Sequence, residues 1–311
     1  MKNSRKTTVL GRLEHHRYAK PLAFIAVTFL ITMMAGTIMA DVKIEKDVQP
    51  VTPGTVCYTV TSDYQTGPNK LEVLLPDKME AGKKYPVLYT LPVNVGTSGN
   101  WGSAIVELQK LDVPNRYGVI VVAPAYDTEP WFGDMPKPAD ASKPWIRQQA
   151  YITDVIIPFM DKEFPTRAER DGRYLITFSK AGFGAFGLLL RNPDLFAKAA
   201  VYDCADPVPA TEIFNTWGMI ASYGTLANFD ENFNIIRLLR TDKVIKALQG
   251  GDRRIVLMAG SLQYGGVNLI NQTLQDSKIP YEFIVFPGMG HSWNAGWLSM
   301  GVHALLSSPK P

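Results

Sequence analysis

Ser179 stands where an apolar, β-favouring run, Tyr174 to Phe178, gives way to a small-then-large apolar run, Ala181 to Leu190. The second run suits a buried helix that Asn192-Pro193 ends. A short strand, Ala199 to Tyr202, follows, so Arg173 to Asp206 reads as strand, sharp turn, helix, strand with the serine at the turn. A serine so placed is presented at the top of a sheet, and the helix N-terminus behind it offers unpaired N–H groups to a developing negative charge. A serine hydroxyl is a weak nucleophile until a base takes its proton, so the turn has chemical meaning only if a histidine reaches it. The sequence holds 4 histidines. His15 and His16 fall in a basic N-terminal segment and His303 falls inside the last expected helix. His291 remains, on Pro287-Gly-Met-Gly-His-Ser-Trp293, the loop after the last expected strand. It is the candidate base, with a structural loop histidine as the alternative.

The residues around the serine, Thr177-Phe-Ser-Lys-Ala-Gly182, resemble the G-x-S-x-G nucleophile elbow of α/β-hydrolases. With the leucine run and Arg191-Asn-Pro-Asp-Leu-Phe196 that follow, the chain resembles the putative esterase family, which includes feruloyl esterases, S-formylglutathione hydrolases and mycolyltransferases. The resemblance extends from Tyr85 to Leu306. It implies an α/β-hydrolase fold, a mostly parallel central sheet with helices on both faces. It also implies a serine esterase that cleaves a carboxylic ester through an acyl-enzyme, with no cofactor and no metal. Family members carry their histidine in a similar glycine-rich loop, often followed by tryptophan, which favours His291. Thr177 and Ala181 replace the two elbow glycines, and a β-branched threonine is expected to crowd the turn.

The remaining roles are carried over position by position. In relatives the acid that orients the histidine follows the strand corresponding to Arg254–Ala259, but Gly260-Ser-Leu-Gln-Tyr-Gly265 has no carboxylate. Gln263 stands about where the acid would be, and a glutamine could hold the ring without balancing its charge. Some α/β-hydrolases place the acid after the preceding strand instead. Asp203, which directly ends that strand, is the first choice and Asp206 the second, with an Asx turn or helix cap as the alternative for either. The oxyanion hole is expected to combine the N–H of Lys180 with one from the loop after Pro86–Leu91. Pro92 has no N–H, so Asn94 is the candidate there, with its side-chain amide as a second donor. Trp131 and Phe132 are the expected walls for an aromatic or sugar-bearing acyl ester, and Trp101 is expected to line the entrance, with aromatic packing as the alternative. The Lys180 side chain is expected either to attract an acidic substrate or to be solvated. Two other readings share the same residues: an acyltransferase, and an inactive envelope protein whose cleft binds carbohydrate or a protein partner.

Composition places these residues in one α/β domain. The chain has 311 residues, 46% hydrophobic and 20% charged. Residues 22–40 carry no charge, follow a basic stretch and end in Ile-Met-Ala, which reads as a signal peptide cleaved before Asp41, with an uncleaved anchor as the alternative. Either makes 41–311 an exported domain, periplasmic or secreted, that meets a membrane only through an uncleaved N-terminal segment. The net charge is +3, but the basic residues of 1–40 leave the remainder slightly acidic, and no Lys/Arg stripe suggests nucleic acid. Cys57 and Cys204 have no zinc-ligand spacing and read as buried small apolar residues.

The continuous apolar runs Pro86–Leu91 and Tyr117–Ala123 suit a parallel sheet covered on both faces. Thr55–Asp63 and Leu71–Leu75 read as an opening strand pair, and Trp145–Phe164 as a helix. The last third alternates strand Arg254–Ala259, helix Val267–Ser277, strand Tyr281–Phe286 and helix Trp293–Leu306. Residues 207–250, with Phe214, Trp217, Tyr223 and Phe229, interrupt the pattern as an insertion, read as a cap over the site or a surface helical pair.

Overall fold

The computed structural model describes residues 42–97, 99–208 and 211–307. The expected export segment, residues 1–40, lies outside them. No helix among the described residues is long and apolar enough to cross a membrane.

Among the described residues, nine strands form one sheet: β1 (Val42–Lys46), β2 (Val56–Ser62), β3 (Asn69–Leu74), β4 (Val87–Thr90), β5 (Ile120–Pro124), β6 (Arg173–Phe178), β7 (Lys198–Tyr202), β8 (Ile255–Ala259) and β9 (Tyr281–Val285). Their order across the sheet is β1-β2-β3-β5-β4-β6-β7-β8-β9. The first three strands join β5 in antiparallel pairs, and every pair from β5 to β9 is parallel. The parallel strands β4, β5 and β8 are buried along their whole length, as their unbroken apolar sequences require when helices cover both faces. Strand β1 was not expected: Val-Lys-Ile-Glu-Lys has one buried residue, Ile44, and takes its place by backbone pairing to β2.

Register decides what meets at the top of the sheet. Phe178 pairs with Tyr202 and Tyr202 with Met258, so β6, β7 and β8 end almost level. Ser179, Asp203 and Gly260 therefore leave the sheet side by side. The expected helix after β6 runs Gly182–Arg191, preceded by one 3₁₀ turn at Ser179–Ala181. The helix expected from Trp145 begins only at Gln148 and widens into a π-helical stretch at Tyr151–Ile156 before Ile157–Glu163. The last helix starts at Leu298 rather than Trp293. Trp293 and Trp297 instead pack on Phe178, with ring centroids 5.0 and 6.3 Å away, and that anchoring leaves 286–297 as a loop.

Residues 211–248 form five short helices between β7 and β8. Phe214, Tyr223 and Phe229 make their own aromatic cluster, and Phe229 lies 6.1 Å from Phe183, which joins the cluster to the Gly182–Arg191 helix.

Candidate active site

Two residues at the strand ends have left-handed backbone angles, Ser179 at φ 56° and Asp203 at φ 47°. This conformation costs a side-chain-bearing residue about 1–3 kcal/mol and persists where surrounding structure over-determines it. At Ser179 the turn is bracketed by β6 and the helix, and its carbonyl accepts the Ala205 N–H at 3.2 Å. The close approach expected at the elbow's second glycine, where Ala181 stands, falls one residue later. A Cβ on Gly182 would lie 2.5 Å from Cys204 Sγ and 2.8 Å from Val201 Cγ1. Thr177 and Ala181 are fully buried without displacing the serine, and the Thr177 hydroxyl has no hydrogen-bond partner. The glycine requirement has moved to the position that faces Cys204.

His291 bridges the two turns. Its Nε2 is 2.8 Å from Ser179 Oγ and its Nδ1 is 2.7 Å from Asp203 Oδ2. An ionised Asp203 can only accept, so the hydrogen-bond network assigns the proton to Nδ1 and leaves Nε2 to accept from the serine. The histidine loop is fixed from below by Tyr202, whose hydroxyl donates to the Gly290 carbonyl at 2.8 Å. It is flanked by Phe178 and Trp101, whose rings lie edge-on to the imidazole at 4.9 and 5.2 Å.

Asp203 has no solvent exposure. Burial alone would raise its pKa, but the hydrogen bonds from His291 and from the backbone N–H groups of Gln263 and Gly260 outweigh it and hold the carboxyl below its ordinary value. The Gly260 and Gln263 N–H groups both donate to Oδ1 at 3.1 Å, and Leu262 N–H donates to Oδ2 at 3.3 Å. Gln263 thus serves the carboxylate through its backbone, and nothing places its amide as the histidine's partner. Asp206, the second choice for the acid, turns back on its own loop and accepts the Val208 N–H at 3.0 Å.

A cleft of about 380 Å³ opens over Ser179 and His291. Val93 and Asn94 reach it from the loop after β4, with Ala205, Leu262 and Gln263 on the opposite side. Asn94 lines the cleft as expected, but its side-chain Oδ1 rests against the backbone of Gly99. Trp131 forms one wall. Its indole N–H donates to the Trp217 carbonyl at 2.8 Å, and the two rings stack 6.2 Å apart. Trp101, on the loop after β4, is exposed at the mouth.

Two expectations about the cleft need correction. Phe132, expected as a wall, is completely buried. At φ 60° its backbone turns the ring under the cleft, where it lies 5.3 Å from Tyr126 and against the Cα of Gly184. The Phe132 N–H is captured there by Gln148 Oε1 at 2.6 Å, an interaction across 16 residues that no local pattern announces. Lys180 is not solvated. Its side chain is 11% exposed, ion-paired with Glu129, and its ammonium lies 5.3 Å from the centre of the Trp131 ring. Burial pulls the Lys180 ammonium down to about 8.

Sequence reasoning missed Glu129 and placed Trp217 only within the insertion read as a cap over the site or a surface helical pair. Trp217 carried a usable signal, being one of four aromatics inside an insertion between two strands of the sheet. Glu129, in a loop 51 residues before Lys180, carried none. Cys57 and Cys204 are both free and buried. No group of three or more His, Cys, Asp or Glu side chains suited to a metal occurs among the described residues.

Comparison with known proteins gives these residues a context. The chain matches the family model described as Putative esterase over residues 62–300, about three quarters of its length. No curated protein matches it significantly in sequence. Among solved structures it is similar to a ferulic acid esterase, with TM-score 0.63 and 18% identity over 81% of this chain and 97% of that one. It is similar to an S-formylglutathione hydrolase from Agrobacterium tumefaciens, with TM-score 0.62 and 15% identity over 84% and 99%. A fluorophosphonate-binding serine hydrolase of Staphylococcus aureus aligns with TM-score 0.60 and 14% identity over 82% and 98%. At these identities the structures establish the shared fold. The family model, covering most of the parallel sheet and both the serine and histidine turns, shows that the chain belongs to the putative esterase family of α/β-hydrolases.

Proposed function

We propose that this protein is an exported serine esterase that cleaves a small-molecule or carbohydrate carboxylic ester through an acyl-enzyme. The observation that carries the reading is the unbroken line from Ser179 Oγ to His291 Nε2 at 2.8 Å and from His291 Nδ1 to Asp203 Oδ2 at 2.7 Å. Ser179 attacks the ester carbonyl as His291 takes its proton. The imidazolium so formed is balanced by Asp203 and then protonates the departing alkoxide. Water repeats the sequence on the acyl-enzyme, with His291 as base, and frees the acid. The negative oxygen of each tetrahedral intermediate is held by the N–H of Lys180 at the helix start and by the N–H of Asn94. No metal or redox group takes part in any of these steps. The buried, hydrogen-bonded Asp203 supports hydrolase chemistry over the inactive binding reading, because a cleft used only to hold a ligand gains nothing from an ionised carboxylate behind a histidine.

The test is the intact mass of the Asp41–Pro311 protein after treatment with a fluorophosphonate, alongside Ser179→Ala and His291→Ala. One adduct per chain in wild type, lost in both variants, is the expected result. A folded wild type that gains no mass overturns the reading.

A further inference from the structure

Lys180 and Glu129 form an ion pair inside the cleft that the proton relay does not use. The two partners are unequally placed. The Lys180 side chain is 11% exposed and boxed against Trp131, whereas that of Glu129 is 39% exposed. The Glu129 backbone is pinned, since its carbonyl accepts from Gln148 Nε2 and Ser222 Oγ at 3.3 and 3.2 Å. Its carboxylate, by contrast, has Lys180 as its one hydrogen-bonded partner among the described residues. The carboxylate can therefore reach water once the ammonium has another partner, and the ammonium cannot follow it.

This asymmetry restricts what the cleft accepts. A neutral group lying over the pair meets a charged floor. If it pushes Glu129 aside, it strands a buried ammonium, and an unpaired buried charge is costly. A cationic group that drew Glu129 to itself would strand the same ammonium and add a second positive charge beside it. An anionic group can replace the Glu129 carboxylate and keep Lys180 paired, while Glu129 gains water. The Lys180 stem starts one residue after Ser179, so the anion would sit within one lysine side chain's reach of the scissile carbonyl.

Building on the serine-esterase reading, we propose that Lys180 is a specificity residue that selects esters carrying an anionic group, in the simplest case a carboxylate, a few bonds from the ester carbonyl. Glu129 is the internal occupant of that subsite, pairing with the ammonium when no substrate is bound.

The probes are monoethyl glutarate and its uncharged primary amide, which have the same shape. Both are followed by ethanol release and by their ability to slow fluorophosphonate labelling of Ser179. The expected result is a kcat/KM for the charged ester about tenfold or more above that for the amide, the range of one hydrogen bond to a charged group. That ratio falls to about one in Lys180→Met, persists in Lys180→Arg and rises in Glu129→Gln. The ratio is read within each variant, so a general loss of rate does not enter it. Protection against labelling follows the same order without needing turnover. A wild type that takes the fluorophosphonate but is protected equally by both esters overturns this inference alone, as does a ratio unchanged in Lys180→Met. A wild type that takes no fluorophosphonate and releases no ethanol overturns the esterase reading beneath it.

Discussion

The proton relay and the rim of the cleft lie a few ångströms apart and are built by different means. The relay stands on strand ends. Ser179 and Asp203 follow residues paired across β6 and β7, both are in left-handed turns, and Asp203 is held by three backbone N–H groups. The rim stands on side chains. Trp217 comes from the 211–248 helices and is 53% exposed, Trp101 and Leu262 come from loops, and the Lys180–Glu129 pair is closed by two flexible chains. The relay geometry is written in the backbone, and the lining of the cleft is left to residues that can change without disturbing the sheet.

The comparison is broken most severely at the relay. Asp203→Asn should lower kcat on any accepted ester by about 10³–10⁴-fold, because the amide favours the wrong imidazole tautomer and cannot balance the imidazolium. Asp206→Asn should stay within about twofold of wild type. Steady-state kinetics on the two variants decides whether the acid is the buried residue or its neighbour. Gly182→Ala comes next. Its new methyl would lie 2.5 Å from Cys204 Sγ, so thermal unfolding should show a loss of about 1–3 kcal/mol, part of which Cys204→Ala restores in the double variant.

A subtler test is acid titration of stability. The folded state holds the Asp203 carboxyl below its ordinary value, so its ionised form adds stability that is fully present above the unfolded carboxylate range, near pH 4. That stability is lost as pH falls through the lower, folded value. Melting temperatures between about pH 7 and about pH 3 should therefore fall more steeply for wild type than for Asp203→Asn. The rim should give the smallest effect. Trp217→Ala is expected to raise KM about threefold to tenfold with kcat little changed, since it removes ring surface from the wall and leaves the relay alone.

The sequence made the parallel strands legible because their apolar runs have no other stable home than a sheet covered on both faces. Ser179 and His291 could be named for a similar reason. One sits at an abrupt strand-to-helix change, and the other is the histidine left after three were assigned elsewhere. Asp203 was distinguishable from Asp206 because it directly ends a strand. Phe132 was misjudged because its direction depends on a left-handed angle and on Gln148, neither of which shows in an aromatic-glycine pattern. The burial of the Lys180 side chain was not legible because its partner comes from a distant loop. β1 escaped notice because its pairing is carried by main-chain atoms, to which side-chain patterning is blind.

The position of Asp203 has a consequence for how such a chain can diversify. With the carboxylate supplied from the end of β7, the loop after β8 contributes three N–H groups to the relay and no side chain. Amide hydrogens are common to every residue except proline, so Leu262 and Gln263 can be replaced by other types while the carboxylate stays moored. Both line the cleft, and Leu262 faces open water. A lineage built this way can rewrite what its entrance meets, one residue at a time, without passing through a form that has lost its acid.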